Sequence, residues 1–299
     1  MKLRLLFLLF LSFHLNAQKT CVGFVDSGFN YQLSQINPWV SPEIGFNFDL
    51  NITDPRDEIG LGTSVVSKFL QEIDKYSLRD QVEIMMVRTD GDQLVHALEF
   101  LIQHQCKFIN LSLSFSPKDM KIKKIFDDYR SIIHNNLDIL FLNTAGAFQG
   151  AFVNLNERKV PIIGTKKYPY HLAQVKSENL IVLGSILEHH IPETNTEFVI
   201  KSNFGAGVNL FAIQKQEFLP DQFGNLVLRE GGSFLLPEVL AKALYLYSKD
   251  NLVPNEIKNK ILGSSSIVKA YCGSCQGKVL KVLKFDSSPE KGMIAGSIP

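Results

Sequence analysis

The chain has no surplus of charge of either sign. Its 299 residues hold 31 Lys and Arg against 30 Asp and Glu, a net charge of +1. Binding to nucleic acid through counterion release, or to an anionic membrane surface, needs a clustered excess of Lys and Arg, and none is visible in the sequence. With 45% hydrophobic and 20% charged residues, the chain also lacks the composition of a disordered, collagenous or coiled-coil protein. Four cysteines are too few for a disulfide scaffold. A chain this long buries roughly three quarters of its unfolded surface, so its folding needs no such staple. No internal repeat, low-complexity tract or linker interrupts it, which favours a single domain.

Long apolar runs are missing too, except at the N-terminus. Lys2 and Arg4 precede the run from Leu5 to Leu11, and Leu15-Asn16-Ala17 ends in the small residue that a signal peptidase favours. Residues 1–17 therefore read as a secretory signal peptide. The run is shorter than the roughly 20 apolar residues a retained anchor needs, and no later stretch qualifies as a membrane span. The mature chain, 18–299, is expected to be secreted or periplasmic, in an oxidising compartment where cysteines can pair. Lys2 and Arg4 are the only charged residues of the signal, so its removal moves the net charge from +1 to −1.

What the sequence does contain is an alternation of short apolar runs and helical patterns. Cys21-Val22-Gly23-Phe24-Val25-Asp26 reads as a buried strand entering a turn at Ser27-Gly28. Further strands are expected at Val82 to Arg88, Phe108 to Leu113, Ile139 to Asn143, Pro161 to Gly164 and Leu180 to Gly184. Helical periodicity fits Leu94 to Ile102 and Val239 to Tyr247. The βαβ order predicts a parallel sheet covered on both faces, with functional loops at the C-terminal ends of its strands.

Four motifs stand out, in this order: Val25-Asp26-Ser27-Gly28, Gly60-Leu61-Gly62-Thr63-Ser64-Val65-Val66, Ile109-Asn110-Leu111-Ser112-Leu113-Ser114, and Gly231-Gly232-Ser233-Phe234-Leu235-Leu236-Pro237-Glu238-Val239. Taken alone, the first is also readable as a strand-ending turn. Taken in order, they resemble the subtilisin-like serine proteases, the subtilases. That family carries Asp-Thr/Ser-Gly, then His-Gly-Thr-His-Val-Ala, then Gly-Thr-Ser-Met-Ala-x-Pro-His-Val. The resemblance extends to Tyr168-Pro169, Ile181-Val182-Leu183-Gly184, Ser202-Asn203-Phe204-Gly205 and Val208 to Ala212, and so runs from about Cys21 to Tyr247. It implies a three-layer α/β/α fold with a mostly parallel central sheet. It also implies a catalytic aspartate at Asp26, a nucleophile at Ser233, and a substrate-pairing strand at Ser112, Leu113 and Ser114. The chain order Asp, His, Ser separates this family from other hydrolases with the same triad chemistry.

The departures bear on activity. Leu61 stands at the catalytic histidine and Ser64 at the second histidine of that motif. Leucine cannot accept a proton, and a serine hydroxyl attacks a carbonyl only as a base removes its proton. Loss of one triad member costs on the order of 10⁴ to 10⁶ in kcat. The family's oxyanion asparagine follows an Ala-Gly pair, and Ala145-Gly146-Ala147 places an alanine there, removing a donor worth about 3 to 4 kcal/mol. Asn143 would have to reach the same spot from another part of its strand.

None of His96, His104, His134, His171, His189 or His190 falls in a motif that puts it beside Ser233. The pair His189-His190 reads as a solvated loop rather than a metal site, and no metal or cofactor is expected. Glu238 stands where the family has a histidine after proline, five residues on from Ser233, which does not support a Ser-Glu dyad. Only Gln18 to Thr20 separate the expected cleavage point from the first strand, leaving no room for the inhibitory prosegment usual in secreted members.

In the implied fold the Asp26 and Ser112 strands are parallel neighbours, which puts Cys21 and Cys106 at their entry ends, within disulfide reach. Cys272-Gly273-Ser274-Cys275 is expected to be a loop closed by a local disulfide. A redox pair would need a helix N-terminus after a strand, and one C-x-x-C is half a zinc site. The sequence thus points to an exported protein of subtilase fold that has lost peptide hydrolysis, with a cleft left to bind an extended peptide. A weakly active endopeptidase using Ser233, or a redox or binding module using Cys272 and Cys275, are the alternatives.

Overall fold

The computed structural model describes residues 19–283, apart from 90, 114–120, 147–151, 156–157, 162–171, 191–195, 206 and 273–274. The expected signal peptide therefore lies outside the described residues.

Six parallel strands form the body of the sheet, in the order β2-β3-β1-β4-β5-β8. They are β1 (Thr20–Asp26), β2 (Val40–Asn47), β3 (Val82–Arg88), β4 (Phe108–Leu111), β5 (Leu140–Thr144) and β8 (Leu180–His190). Most of these strands are continuous apolar runs because both faces of the sheet are covered. α1 (Leu61–Asp74), α4 (Leu236–Asp250) and α5 (Pro254–Gly263) pack on one face over Phe24, Met86, Leu140 and Leu142. α2 (Leu94–Gln103) and α3 (Lys121–Asn135) cover the other over Val25, Met85, Val87, Ile109 and Phe141. Successive residues of one strand thus feed opposite cores, as the period of two requires. Each large apolar side chain buried this way contributes roughly 1.5–3 kcal/mol.

The sheet then departs from a plain parallel array. β8 is longer than the expected Leu180 to Gly184, and its second half pairs antiparallel with β9 (Thr196–Ile200). β9 lies beside β13 (Ser266–Cys272), β13 beside β14 (Cys275–Leu283), and β14 beside β10 (Leu210–Ile213), which returns to β8. These five strands close into a small ring around Ile186, Phe198, Phe211, Ala270 and Val282. Ile186 is paired on both sides, with Ile213 and with Ile200.

Three expectations are corrected here. His189 and His190 are not in a loop: they end β8, opposite Glu197 and Thr196. Cys272 and Cys275 are strand residues directly opposite one another, where the antiparallel pair of β13 and β14 ends. Pro161 does not open a strand of the main sheet. It ends β7 (Arg158–Pro161), which pairs only with β6 (Phe152–Leu155) in a separate antiparallel ribbon. Residues 162–164 lie outside the described residues. The last ribbon, β11 (Glu217–Pro220) and β12 (Leu226–Arg229), packs against α1 just before the Ser233 turn.

Candidate functional site

Asp26 is the last residue of β1, at the C-terminal end of the parallel strands, and it is buried. Its Oδ1 accepts the Ser27 amide at 2.7 Å, while Oδ2 has no hydrogen-bond partner among the described residues. Burial pushes its carboxyl up from an ordinary 3.8 to about 7. The Ser27 amide pulls the other way, the Asp57 charge adds to the rise, and the Ser112 hydroxyl favours the ionised form without completing a bond to Oδ2.

The start of α1 is pressed against this turn. A Cβ added at Gly62 would stand 2.0 Å from the Gly28 carbonyl oxygen and 3.3 Å from Asp26 Cβ, so only glycine lets the helix approach so closely. Leu61, the residue before it and the first of α1, is half-buried and packs on the α1/α4 core. The helix is capped from outside its own sequence. The Gly62 amide donates to Ser27 Oγ at 3.0 Å, and the Thr63 amide to Asp57 Oδ2 at 2.8 Å. Asp57 also accepts from the Ile59 and Gly60 amides, the Thr63 hydroxyl and the Ser27 hydroxyl. A carboxylate so placed satisfies orphan donors and complements the helix dipole. The sequence reading missed Asp57; an acid three residues before Gly60 and a helix start was the available signal.

Ser233 lies in a single 3₁₀ turn, Gly232–Phe234, immediately before α4. A Cβ added at Gly232 would stand 2.7 Å from Thr144 Oγ1, which fixes this turn against the end of β5. The Ser233 turn also contacts α1, so Asp26, Leu61 and Ser233 come from three elements that meet at one end of the sheet. Among the described residues no side chain hydrogen-bonds the half-buried Ser233 hydroxyl.

Ser112 follows β4, buried, and its hydroxyl accepts from Asn110 Nδ2 at 3.0 Å. Its amide donates to the Val25 carbonyl, so the chain available to pair with another strand begins at Leu113, which is half-buried. Ser114 and Ala147 lie outside the described residues. Asn143 is buried on the α2/α3 side of the sheet with both amide atoms unpaired among the described residues, next to the buried Tyr129 hydroxyl. Strand alternation places it on the face opposite α4.

Three of the histidines are engaged elsewhere. His104 contacts Glu43 at 2.5 Å, His96 contacts Gln93 at 2.8 Å, and His134 contacts the Lys176 carbonyl at 3.0 Å. His171 is outside the described residues.

Glu238 is buried and ion-paired to Lys68 Nζ at 2.9 Å. Lys68, itself buried in α1, also meets Glu72 at 2.9 Å and Glu217 at 2.5 Å. Burial works against the Lys68 charge, but the surrounding glutamates outweigh it and hold the ammonium above its usual range. Burial pushes the Glu238 carboxyl up against the pull of Lys68. This cluster ties α1, β11 and α4 together behind the Ser233 turn, and nothing in the linear spacing announced it.

Cys21 and Cys106 form a disulfide with Cα atoms 4.4 Å apart, joining β1 to the residue pair before β4. Their strands are parallel neighbours in the register Val22 to Phe108. Among the described residues no helix is long and apolar enough to cross a membrane.

No protein-family model matches the sequence, and no curated protein sequence matches it. Solved structures do resemble the fold. A cold adapted subtilisin-like serine proteinase superposes with a TM-score of 0.61 at 18% identity, covering 91% of each chain. The nisin leader peptidase NisP from Lactococcus lactis gives 0.61 at 15% identity, covering 87% of this chain and 89% of that one. A lanthipeptide protease gives 0.61 at 15% identity, over 82% of this chain and 80% of the other. With β1, α1 and the Ser233 turn converging as described, the protein has the subtilisin-like α/β fold.

Proposed function

We propose that this is an exported protein of subtilase fold that does not hydrolyse peptides, and that its cleft serves to bind an extended peptide. One observation carries the reading: the residue at the head of α1, beside the Asp26 turn, is Leu61. Acyl transfer by Ser233 needs a base within hydrogen-bond reach of its hydroxyl. Leucine offers none, and the Ser233 hydroxyl is unengaged among the described residues. Among the described residues, Asp26 keeps a carboxyl with one unpaired oxygen and no imidazole to orient or to charge. Ala147 at the oxyanion asparagine position removes a second contribution.

A peptide would lie along Leu113 and Ser114 by strand addition, since the Ser112 amide is already used. Neighbours named as leader peptidases support an extended peptide as the occupant. Residues 1–17 would direct export. Cys272 and Cys275, opposite one another in the β13/β14 pairing, suit a local disulfide in that compartment better than redox catalysis.

A fluorophosphonate probe tests the reading. The protein is expected to remain unlabelled at Ser233, and Leu61→His alone to restore little peptidase activity. Covalent labelling that disappears in Ser233→Ala would establish instead a weakly active endopeptidase.

A further inference from the structure

Three glutamates close on one buried ammonium where α1, β11 and α4 meet. Lys68 Nζ lies 2.9 Å from Glu72, 2.5 Å from Glu217 and 2.9 Å from Glu238, which takes up all of its donors. Lys75 sets a second ammonium on Glu72, meeting its two oxygens at 2.7 and 2.6 Å. With every group ionised, three negative charges stand against two positive. The surplus falls on Glu238. It is buried, and among the described residues its Oε2 has no hydrogen-bond partner. An ionised oxygen shut away from water without a donor is costly, and such groups take up a proton instead. Burial accordingly pushes the Glu238 carboxyl up against the pull of Lys68, and the Glu72 and Glu217 charges push the same way.

The other charged groups around the cluster are committed elsewhere. Arg229, opposite Glu217 in the β11/β12 ribbon, is turned inward and donates to Ser64 Oγ and to the Gly60 carbonyl, each at 3.0 Å. Glu230 accepts from Gln216 at 2.8 Å, and Lys260 of α5 pairs with Asp250 at the far end of α4. Tyr76 of α1 faces Glu72 and Glu238 and stacks on Tyr245 of α4, whose hydroxyl accepts from Lys249. A phenol brings no positive charge to offset the surplus.

We propose that this cluster is a proton-operated latch: Glu238 holds a proton while the latch is closed, and its ionisation as pH rises drives Glu217 off Lys68 and loosens the ribbon that leads into the Ser233 turn. Glu217 is the group that leaves. Its side chain is 28% exposed, against 6% for Glu72 and 4% for Glu238, so it has water to move into, while Glu72 is held by two ammoniums. A carboxyl raised by folding favours the folded cluster at low pH and loses that contribution as pH rises through its folded value. The remaining ties of the ribbon do not depend on Glu238. Arg229 holds β12, and the connecting turn is held by Asn30 Nδ2 on the Gln222 carbonyl at 2.7 Å and by Gln222 Nε2 on the Glu58 carbonyl at 3.0 Å. The outer face of the ribbon, with Phe218, Leu226 and Leu228, is exposed, and opening is confined to the Glu217 end, ahead of the buried Leu219. The latch is independent of whether the cleft binds peptide.

Hydrogen exchange of the full chain at about pH 5.5 and about pH 9 tests the latch, read by mass spectrometry on peptides covering β11 and corrected for base catalysis of the intrinsic rate. Protection of β11 is expected to fall at least tenfold at the higher pH. Glu238→Gln, neutral at both values, is expected to abolish the fall. Glu217→Gln, which removes the charge that is expelled, is expected to do the same, and its partly exposed position keeps the test open should Glu238→Gln fail to fold. Asp26→Asn, which removes the other buried carboxyl raised by folding, is expected to leave the fall intact. Equal protection of β11 at the two pH values in the parent, a fall that persists in either glutamine variant, or one that disappears in Asp26→Asn would overturn the proposal.

Discussion

Asp26 is the residue whose burial is measurable without any assay of catalysis. Burial lifts its carboxyl to about 7, against 3.8 when exposed. Below about pH 4 the carboxyl is protonated in both folded and unfolded chains. Between about pH 4 and 7 the folded protein holds a proton that the unfolded chain has released, so stability falls as pH rises through that window. The full loss above pH 7 is on the order of 4 kcal/mol. Asp26→Asn keeps the acceptor for the Ser27 amide and removes the charge. It is expected to stabilise the protein at pH 8 and to change little at pH 4, which urea unfolding at the two pH values would show. A variant equally or less stable at pH 8 would mean that Asp26 has a compensating partner. The strand end at Asp26 and the turn before α4 at Ser233 were legible in the sequence because their motifs are local. The Oδ2 left unpaired was not, since it depends on what α1 and β4 place around it.

At the scale of elements, α1 does most of the organising. Its N-terminus is capped by Ser27 and Asp57, its glycine admits the Asp26 turn, and its middle carries the lysine that meets Glu217 and Glu238. Lys68→Met would leave three glutamates facing one another in the α1/α4 contact. Removing one partner of a buried ion pair costs about 3–5 kcal/mol. The expected outcome is a loss of that size in urea unfolding, with Glu238→Gln in the same background recovering part of it. If Lys68→Met unfolds at the same urea concentration as the parent, the cluster is not holding these elements together. β8 shows the limit of reading elements one at a time. Leu180 to Gly184 is an apolar run and was readable as a strand. Its continuation through Glu188-His189-His190 is polar, and becomes strand only because β9 supplies the hydrogen bonds.

For the whole molecule, the Cys21–Cys106 bond spans 85 residues of sequence and encloses β2, α1, β3 and α2. Closing a loop of that length restricts the unfolded chain by about 4–5 kcal/mol in the chain-entropy account. The double variant Cys21→Ser/Cys106→Ser is expected to lose stability on that order in urea unfolding while keeping its circular dichroism spectrum. A loss below about 1 kcal/mol would place the constraint elsewhere.

The sequence by itself determined the parallel sheet, the order of the motifs and the leucine at position 61. Those are properties of local periodicity and of residue type, which the chain carries wherever it goes. Only the tertiary structure decided the ring of β8, β9, β13, β14 and β10, the Lys68 cluster and the outward-facing ribbon. Each joins residues far apart in the chain, through backbone pairing or buried charge that no local pattern encodes. The near-neutral charge of the sequence is likewise resolved only in three dimensions: three glutamates around one buried lysine, and an edge strand with its single charge turned inward.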